Sequence, residues 1–411
     1  MILDQFFEQI ETQFDAKLPF VAYKKPNTSE LKAVLQPDNV LHEITDFTES
    51  GFVFAPFDSR KDAFLIPLKD ATIFSVQYDQ NDFYEEELRL QKAASYKINS
   101  NEHTDRLAHI KRVEKGVAAI KSDCFSKVVL SRCEVIENAE TNPIKIFKRL
   151  LERYPTAFVY VWYHPEVGLW LGATPETLLS VNGNQLNTMA LAGTQAYEGS
   201  VDVVWKEKEK EEQQIVTDFI VNSLESVDSI QSALGSSQLA RNEKTPLDGA
   251  TIETQQTYNN ALKVSGPKTV KAGNLLHLLT EISMRLKPEA RNLKAILDAL
   301  HPTPAVCGFP KEKAKAYIIE NEGYFREFYA GFMGELNMKE TTSRNTNRRN
   351  VENNAYRVQK SISNLYVNLR CMQIKNKNIL IYVGGGITKD SDAELEWEET
   401  VHKSKIIKSV L

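Results

Sequence analysis

The chain has 411 residues, of which 42% are hydrophobic and 26% charged, and its formal net charge is −5 at pH 7. This composition is typical of a globular protein with a large core. It gives no general reason to expect binding to nucleic acid or to a membrane surface, so any anionic ligand has to be held by a local cluster of positive charge. The four cysteines show no CxxC spacing and the histidines do not cluster with them, so neither a zinc site nor a disulfide framework is indicated.

The first residues, MILDQFFEQIETQF, place acidic side chains among apolar ones at helical spacing. This pattern predicts an amphipathic helix without the apolar region of a signal peptide. No apolar run approaches the roughly 20 residues that span a bilayer. We therefore expect a cytoplasmic protein with no membrane partner, and take a monomer as the working expectation. Residues 1–100 alternate short strand-like pieces with turns and carry no chemical motif, which favours a scaffold role within the same fold as residues 101–411.

An amphipathic helix is predicted over residues 104–122, followed by a strand with the sequence FSKVVLSRCEV. Alternation places Lys127 on the same face as Phe125, Val129 and Cys133. A lysine at this position is either a charge that protects an edge strand from pairing or a partly desolvated amine that works as a general base.

Glu176 follows Pro175 between two predicted strands, residues 168–174 and 177–181. A carboxylate in this position is commonly a solvated loop residue. It can equally be a carboxylic acid held in a pocket as a proton donor.

A long helix is predicted over Trp205 to Val227, opening with the charged run KEKEKEEQQ. Glu212 projects from the middle of its apolar stripe, because it lies three, four and seven residues before Ile215, Val216 and Phe219. A carboxylate in an apolar stripe needs a partner, and a metal ion is one candidate. Residues 228–257 are predicted to form a loop and a short helix.

Residues 274–286 are predicted to be helical, with His277 in an apolar context that is typical of a core histidine. Prolines in HPTPAVCGFP, residues 301–310, predict a rigid irregular loop. A strand is predicted over residues 328–338, and the polar, basic residues 339–363 are predicted to form a mobile hairpin insertion.

The C-terminal part predicts a hairpin with arms at residues 365–374 and 379–383, with Arg370 on the polar face of the first arm. The second arm enters three glycines, which allow unusual backbone angles and close approach of a ligand. A helix from about Ala393 puts Glu396, Glu399 and Lys403 on one side. Glu399 and Lys403 are either an ordinary surface pair or part of a site with the glycines and Arg370.

Seven segments in this order resemble the chorismate-utilising enzymes, and within them the isochorismate synthases: KVVLSR (127–132), GATPETLL (172–179), LAGT (191–194), EEQQIV (211–216), HPTPAVCGFPK (301–311), NLRC (368–371), and GGGI (384–387) with EWEET (396–400). The resemblance covers roughly residues 105–411. It implies an α+β fold, a single chorismate-utilising-enzyme domain of large antiparallel sheets flanked by helices. The sequence departs from the family pattern at Gln213, where a histidine is frequent, and in the 339–363 insertion.

The resemblance also implies a role for each residue that matches a family motif. It implies isomerisation of chorismate to isochorismate, with Lys127 activating water and Glu176 protonating the leaving hydroxyl. Mg²⁺ is the implied cofactor, with Glu212 and Glu399 as its ligands and Glu396 close by. Further residues are implied to bind the substrate: Arg370 with Tyr382 and the amides of Gly384, Gly385 and Gly386 at the pyruvyl carboxylate, Lys403 at the ring carboxylate, and Ala192, Gly193, Thr194, His277 and Ala305 in the pocket wall.

Three alternatives to an isochorismate synthase have to be considered. Aminating relatives would not need the water-activating Lys127, often carry a lysine where this chain has Ala192, and have other small residues in place of the HPTPAV loop, so amination is disfavoured. A salicylate synthase uses the same acid and base and then eliminates pyruvate. A catalytically silent binding protein of the same fold would have lost a base, acid or metal ligand, and none is missing. The residues do not distinguish menaquinone from siderophore biosynthesis.

Overall fold

The computed structural model describes residues 1–79, 102–137, 141–239, 262–272, 275–287, 292–342 and 358–411. These residues form eighteen strands, arranged in two nine-stranded antiparallel sheets, and seven helices. The predicted α+β fold of large antiparallel sheets flanked by helices is confirmed.

The first sheet contains strands from both ends of the chain. In spatial order its strands are β14 (Gly308–Phe309), β7 (Lys127–Ile136), β18 (Asn378–Ile387), β17 (Cys371–Lys375), β9 (Gly168–Thr174), β8 (Phe158–His164), β1 (Phe20–Lys24), β2 (Glu30–Leu35) and β6 (Thr72–Gln77).

The second sheet also contains strands from both ends of the chain. Its strands in spatial order are β12 (Leu262–Ala272), β13 (Leu275–Arg285), β11 (Gln185–Ala196), β10 (Thr177–Asn182), β16 (Val358–Val367), β15 (Phe332–Thr342), β4 (Gly51–Ala55), β5 (Phe64–Pro67) and β3 (His42–Glu43). Strands from the first 79 residues therefore occupy one end of each sheet, while the division at residue 100 stays an interpretation.

The helices are α1 (Leu3–Asp15), α2 (Glu102–Lys121), α3 (Pro143–Arg153), α4 (Glu207–Leu239), α5 (Leu293–Leu300), α6 (Lys311–Asn321) and α7 (Ala393–Lys408). Helices α1, α3 and α7 share one apolar cluster with the first sheet, while α4 packs on β11 and α2 packs on α7 and β7. The side chain of Asp392 accepts hydrogen bonds from the amides of Glu394 and Leu395 at 3.0 Å, which fixes the start of α7.

The main core lies where the two sheets face each other and is rich in aromatic residues. Phe54 on β4 stacks on Trp162 of β8 with ring centroids 4.6 Å apart, and Phe158 on β8 stacks on Tyr366 of β16 at 4.1 Å. Because these pairs join one sheet to the other, the two sheets form one packed unit.

Several sequence predictions are confirmed by these elements. The N-terminal amphipathic helix is α1, the lysine-containing strand is β7, and the hairpin turn is present, with Lys375 opposite Asn378. Lys127 is completely buried, so the alternative of a solvent-facing charge on an edge strand is wrong.

Other local predictions are wrong. Residues 275–285 form strand β13 and not a helix, because long pairings with β11 and β12 on either side outweigh an apolar pattern that suits both states. Helix α4 continues through the predicted loop to Leu239, and residues 240–261 lie outside the described part. The strand predicted over 328–338 spans Phe332–Thr342.

The predicted mobile insertion is only partly described. Residues 339–342 pair with residues 358–361 as the outer rungs of the β15–β16 ladder, so these parts are sheet. Residues 343–357 lie outside the described residues.

Arg370 is not on a strand, contrary to the prediction. Strand β16 ends at Val367 in the second sheet and β17 begins at Cys371 in the first, so residues 368–370 carry the chain from one sheet to the other. Arg370 has a positive φ of 47° at this crossing. The alternating pattern continues through the break, and this is why the sequence suggested one uninterrupted arm.

Candidate active site

A pocket at the ends of both sheets brings most of the predicted residues together. All of them except Lys127, Gly385 and Glu396 line it. The lining residues that were predicted are Glu176, Ala192, Gly193, Thr194, Glu212, His277, Ala305, Arg370, Tyr382, Gly384, Gly386, Glu399 and Lys403.

Lys127 lies directly behind this lining, at the start of β7. Its Nζ is 2.8 Å from Oε1 of Glu212, and a Cβ added to Gly386 would be 3.2 Å from its Cε. The ammonium is therefore enclosed by β18 on one side and by the carboxylate of α4 on the other.

The glycines of β18 are needed for close approach and not for unusual torsion angles. Gly384, Gly385 and Gly386 lie inside the strand, and their φ values are not positive. A Cβ on Gly386 would be 2.3 Å from Glu212 Oε1, and one on Gly385 would be 3.3 Å from Glu396 Oε2. The part of the prediction that invoked special backbone angles is wrong. Carboxylates approach these glycines closely, and close approach of a ligand stays a prediction.

The three predicted metal ligands converge on these glycines from two helices. Glu212 comes from α4, and Glu396 and Glu399 come from α7, with Glu399 Oε1 3.8 Å from the Cβ position of Gly385. Burial and the neighbouring charge of Glu399 raise the pKa of Glu396 above its ordinary value. The buried Glu396 and the partly exposed Glu399 thus place two negative charges close together, which favours a positive charge nearby.

Lysines meet this demand in the present structure. Glu212 pairs with Lys127, Glu396 with Lys208 at 2.5 Å, and Glu399 with Lys403 at 2.7 Å. Burial is the largest influence on the pKa of Glu212 and acts to raise it, but the charge and hydrogen bond of Lys127 together with the charges of Lys403 and Lys208 outweigh burial, so the pKa lies below its ordinary value. Within the described ranges, no group of three or more His, Cys, Asp or Glu residues is close enough to hold a metal ion in this arrangement. Oε2 of Glu396 is buried without a hydrogen-bond partner among the described residues.

Glu176 sits at the turn between β9 and β10 and is buried, with an exposed fraction of 4%. Its backbone carbonyl accepts a hydrogen bond from the amide of Val367 at 3.0 Å, which ties the turn to β16. Burial raises the pKa of its carboxyl to about 8, although the charges of Lys127 and Arg370 oppose the shift. The interpretation as a solvated loop acid is wrong, because this group is enclosed and carries its proton at neutral pH.

The buried His277 and the partly buried Arg370 form a hydrogen-bonded pair in the pocket wall. Nη2 of Arg370 lies 2.9 Å from Nε2 of His277, and His277 Nδ1 lies 3.1 Å from the carbonyl oxygen of Gly193. Burial and the charges of Arg370 and Lys403 lower the pKa of His277 to about 3. The imidazole is therefore neutral, with its proton on Nδ1, and its Nε2 accepts from the guanidinium.

Further hydrogen bonds fix the remaining polar side chains. Nζ of Lys403 donates to the carbonyl oxygen of Gly384 at 3.1 Å. Tyr382 stacks between Trp170 and Tyr329, and its hydroxyl donates to Gln373 Oε1 at 3.2 Å. The Tyr382 hydroxyl is thus engaged with Gln373.

The LAGT segment forms a bulge in β11. The pairing with β13 shifts register between Ala192 and Thr194, and Gly193 has a φ of +69°, which favours glycine. The amide of Ala192 donates to Oε1 of Gln213 at 2.8 Å. Gln213 also donates to the carbonyl oxygen of Ala190 and to Thr280. The glutamine that departs from the family pattern therefore anchors α4, and with it Glu212, to the second sheet.

Sequence reasoning missed several lining residues, namely Lys208, Glu209 and Tyr329. Lys208 lies in the charged run that opens the predicted helix and was not singled out there. Its position four residues before Glu212 places both on one face of α4, and this spacing was the available indication. No such pattern marked Tyr329.

Profiles of the chorismate binding enzyme family match residues 69–246 and 230–343, and a second profile of that description matches 358–409. One relative is the salicylate-biosynthesis isochorismate synthase of Pseudomonas aeruginosa, which is 26% identical over 309 residues, or 73% of this chain and 54% of that protein. The matched parts of three curated isochorismate synthases range from 40% to 63% of their own lengths.

Two solved structures have a similar fold. The menaquinone-specific isochorismate synthase of Escherichia coli superposes with a TM-score of 0.65 at 19% identity, covering 96% of this chain and 88% of that one. Anthranilate synthase component I of Streptococcus pneumoniae superposes with a TM-score of 0.59 at 19% identity, covering 95% and 92%. At this identity the likeness establishes a shared fold only.

In the described part of the chain, no helix is long and apolar enough to cross a membrane. The family profiles cover most of the chain, including the strands and helices that carry the pocket. This protein belongs to the chorismate binding enzyme family.

Proposed function

We propose that this protein is an isochorismate synthase, which isomerises chorismate to isochorismate. The observation that carries the proposal is Glu176, a carboxylic acid that burial keeps protonated to about pH 8, in the same pocket wall behind which the amine of Lys127 is enclosed. A protonated acid and a lysine amine are the donor and the acceptor that this isomerisation requires.

The reaction exchanges one ring hydroxyl for another without oxidation or reduction. Lys127 takes a proton from water as the water oxygen bonds to one ring carbon. Glu176 gives its proton to the hydroxyl that leaves from another ring carbon, so one water is consumed and one released. Because the Lys127 ammonium is paired with the Glu212 carboxylate, it has to separate from this carboxylate and lose a proton before it can act as a base.

The substrate carries two carboxylates, and the pocket offers cations for both. Arg370 is suited to bind the pyruvyl carboxylate because His277 and the carbonyl oxygen of Ala272 hold its guanidinium in one orientation. Lys403, fixed on Gly384, is suited to bind the ring carboxylate. With both ends of the ring held, the acid and the base act on defined carbons.

Glu212, Glu396 and Glu399 are the residues that would hold a divalent cation, once their carboxylates come closer together than in the present arrangement. Their oxygens are hard donors, Glu396 Oε2 has no hydrogen-bond partner among the described residues, and the glycines of β18 leave room beside them. Mg²⁺ held by these residues would stabilise negative charge on a substrate carboxylate. Lys127, Lys208 and Lys403 occupy the same carboxylates here and have to be displaced from them. The cytoplasmic location and the monomeric state stay predictions, and both menaquinone and siderophore biosynthesis stay open as pathways.

The test is to incubate the purified protein with chorismate and Mg²⁺, with and without EDTA, and to separate the products by chromatography. Isochorismate that forms only with Mg²⁺, and not with Lys127→Ala, supports the proposal. Salicylate with pyruvate as the main product would reassign the protein to a lyase. Anthranilate formed from added ammonia would show that the enzyme uses ammonia, and not water, as its nucleophile.

A further inference from the structure

A second, larger cavity adjoins the pocket and is here called the vestibule. Arg153 of α3, Gln195 of β11, Lys271 of β12 and Lys405 of α7 are among the residues that line it, with Lys206 just before α4. Its volume is about 1240 Å³. Four residues, Thr194, Leu275, Glu399 and Lys403, line both cavities, so the vestibule adjoins the pocket through shared walls.

The vestibule carries positive charge in a protein whose net charge is −5. Arg153, Lys206, Lys271 and Lys405 line it, whereas its carboxylates are Glu398 and Glu399. Glu399 is already neutralised by Lys403 at 2.7 Å. Lys206 and Lys271 form no ion pair with any carboxylate of the described residues, so no carboxylate there neutralises their charge.

Local contacts hold these two lysines on one wall. Trp205, next to Lys206, is buried and donates from Nε1 to Thr269 Oγ1 of β12 at 3.0 Å. The carbonyl oxygen of Val204 accepts a hydrogen bond from Gln195. Nζ of Lys271 lies 3.6 Å from the ring centroid of Tyr197. The segment before α4 is therefore fastened to β11 and β12, which keeps the charge of Lys206 beside the vestibule.

We propose that the vestibule is a capture site for carboxylate anions, in which Lys206 and Lys271 hold the dicarboxylate substrate before it passes inward to Lys403 and Arg370. This inference rests on the proposed function for the identity of the substrate. A cluster of positive charge in a concave cavity raises the local concentration of an anion and its association rate, and salt weakens both effects. Because capture precedes the chemical step, loss of the capture site should lower kcat/KM and leave kcat unchanged.

The structure supplies a charge-matched control. Lys210 lies four residues after Lys206 and pairs with Glu207, and Lys268 lies three residues before Lys271 on β12 and pairs with Glu281. Neither lines the vestibule. The double variant Lys206→Gln with Lys271→Gln therefore removes the same charge from the same two segments as Lys210→Gln with Lys268→Gln.

The experiment measures the association rate of chorismate with each full-length variant by stopped-flow tryptophan fluorescence, at low and at high ionic strength. We expect the vestibule variant to associate about fivefold more slowly than wild type at low salt, with the difference disappearing at high salt. Its kcat and the rates of the control pair should stay within about twofold of wild type. Equal slowing in both double variants, or no slowing in either, overturns the inference.

The same measurement separates this inference from the proposed function. If wild type binds chorismate but forms no isochorismate, the proposed function fails and the comparison of rates still decides the role of the vestibule. If wild type does not bind chorismate, both fail. A slower vestibule variant whose defect persists at high salt, with a lower kcat, shows structural damage and also counts against capture.

Discussion

Lys127 Nζ and Glu212 Oε1 lie 2.8 Å apart, so the lysine at the start of β7 and the glutamate on α4 form one ion pair inside the protein. The two residues have different proposed tasks, one as a base and the other as a metal ligand. Because they neutralise each other, neither can perform its task while the pair persists. The proposed metal binding by Glu212 and the proposed action of Lys127 as a base would therefore be coupled through this contact.

The first prediction concerns Lys127 as the base. Lys127→Met keeps the length and apolar stem of the side chain but cannot accept a proton, and we expect kcat to fall by about 100-fold or more. Lys127→Arg keeps the positive charge beside Glu212 but does not deprotonate at neutral pH, and it should be as inactive. Isochorismate formation is measured by chromatography. Substantial activity in Lys127→Arg would show that the residue contributes charge alone.

The second prediction concerns metal binding in the absence of turnover. A ligand that binds only the folded state stabilises it. We therefore expect millimolar Mg²⁺ to raise the Tm of wild type by about 2 °C or more. The increase in Tm should be much smaller for Glu212→Gln. Lys208→Met removes the cation that pairs with Glu396. This variant should therefore need a lower Mg²⁺ concentration than wild type to reach the same increase in Tm. Lys210→Met is its control on the same helix. An unchanged response in Glu212→Gln would exclude this glutamate as a ligand.

The third prediction follows from the raised pKa of Glu176. Burial raises the pKa of this carboxyl to about 8, so the folded protein keeps its proton up to about that pH, whereas the unfolded chain releases the proton near the ordinary pKa of 4.5. The folded state therefore binds the extra proton between these values, and its contribution to stability is lost as the pH rises through about 8. Glu176→Gln does not titrate, so its free energy of unfolding relative to wild type should increase between about pH 5 and pH 8.

Activity provides a second readout for Glu176. Since only the protonated acid can assist departure of the hydroxyl, kcat/KM of wild type should decline above about pH 8. Urea unfolding curves and initial rates across this range check both parts. If wild type and Glu176→Gln have parallel stability profiles, the carboxyl is not held protonated by burial.

Much of this site could be predicted from local patterns. Glu212 was singled out because it stands in the apolar stripe of α4, and it indeed projects into the pocket. The close approach at Gly385 and Gly386 was expected from the absence of their side chains. Such local patterns are informative because the periodicity of a helix or a strand determines which residues share a face, whatever the element packs against.

The parts that were missed depend on partners distant in the chain. Strand β13 was predicted to be a helix, since its leucines suit both states and the choice is made by β11 and β12. Arg370 was placed on a continuous strand, yet the chain crosses there between two sheets, and no local pattern marks a crossing. The pairing of Lys208 with Glu396 joins residues 188 positions apart.

The fourth prediction concerns recognition of the substrate by Arg370. Arg370→Lys retains a positive charge but loses the second guanidinium contact and the hydrogen bond to His277. We expect KM for chorismate to rise about tenfold to 100-fold with a smaller change in kcat. Steady-state kinetics measures the two parameters separately. A fall in kcat at unchanged KM would assign Arg370 to the chemical step.

The fifth prediction concerns a buried ion pair that supports the pocket wall. Arg326 donates to the carbonyl oxygens of Val129 at 2.7 Å and Val306 at 2.8 Å, two residues that line the pocket. Its partner Glu322 accepts hydrogen bonds from the amide and the hydroxyl of Ser131 on β7. The ion pair thus joins β7 to the loop that carries Val306, next to the strand β18 that supplies the glycines.

Arg326→Met leaves the carboxylate of Glu322 buried without its cation, and removing one partner of such a pair costs about 3–5 kcal/mol of unfolding free energy. Lys294→Met breaks an exposed pair with Asp298 and should cost less than about 1 kcal/mol. Arg326→Met combined with Glu322→Gln removes the unpaired charge, so it should recover part of the loss. Urea unfolding measures all three variants. If the double variant is no more stable than Arg326→Met, the cost comes from lost packing and not from the stranded charge.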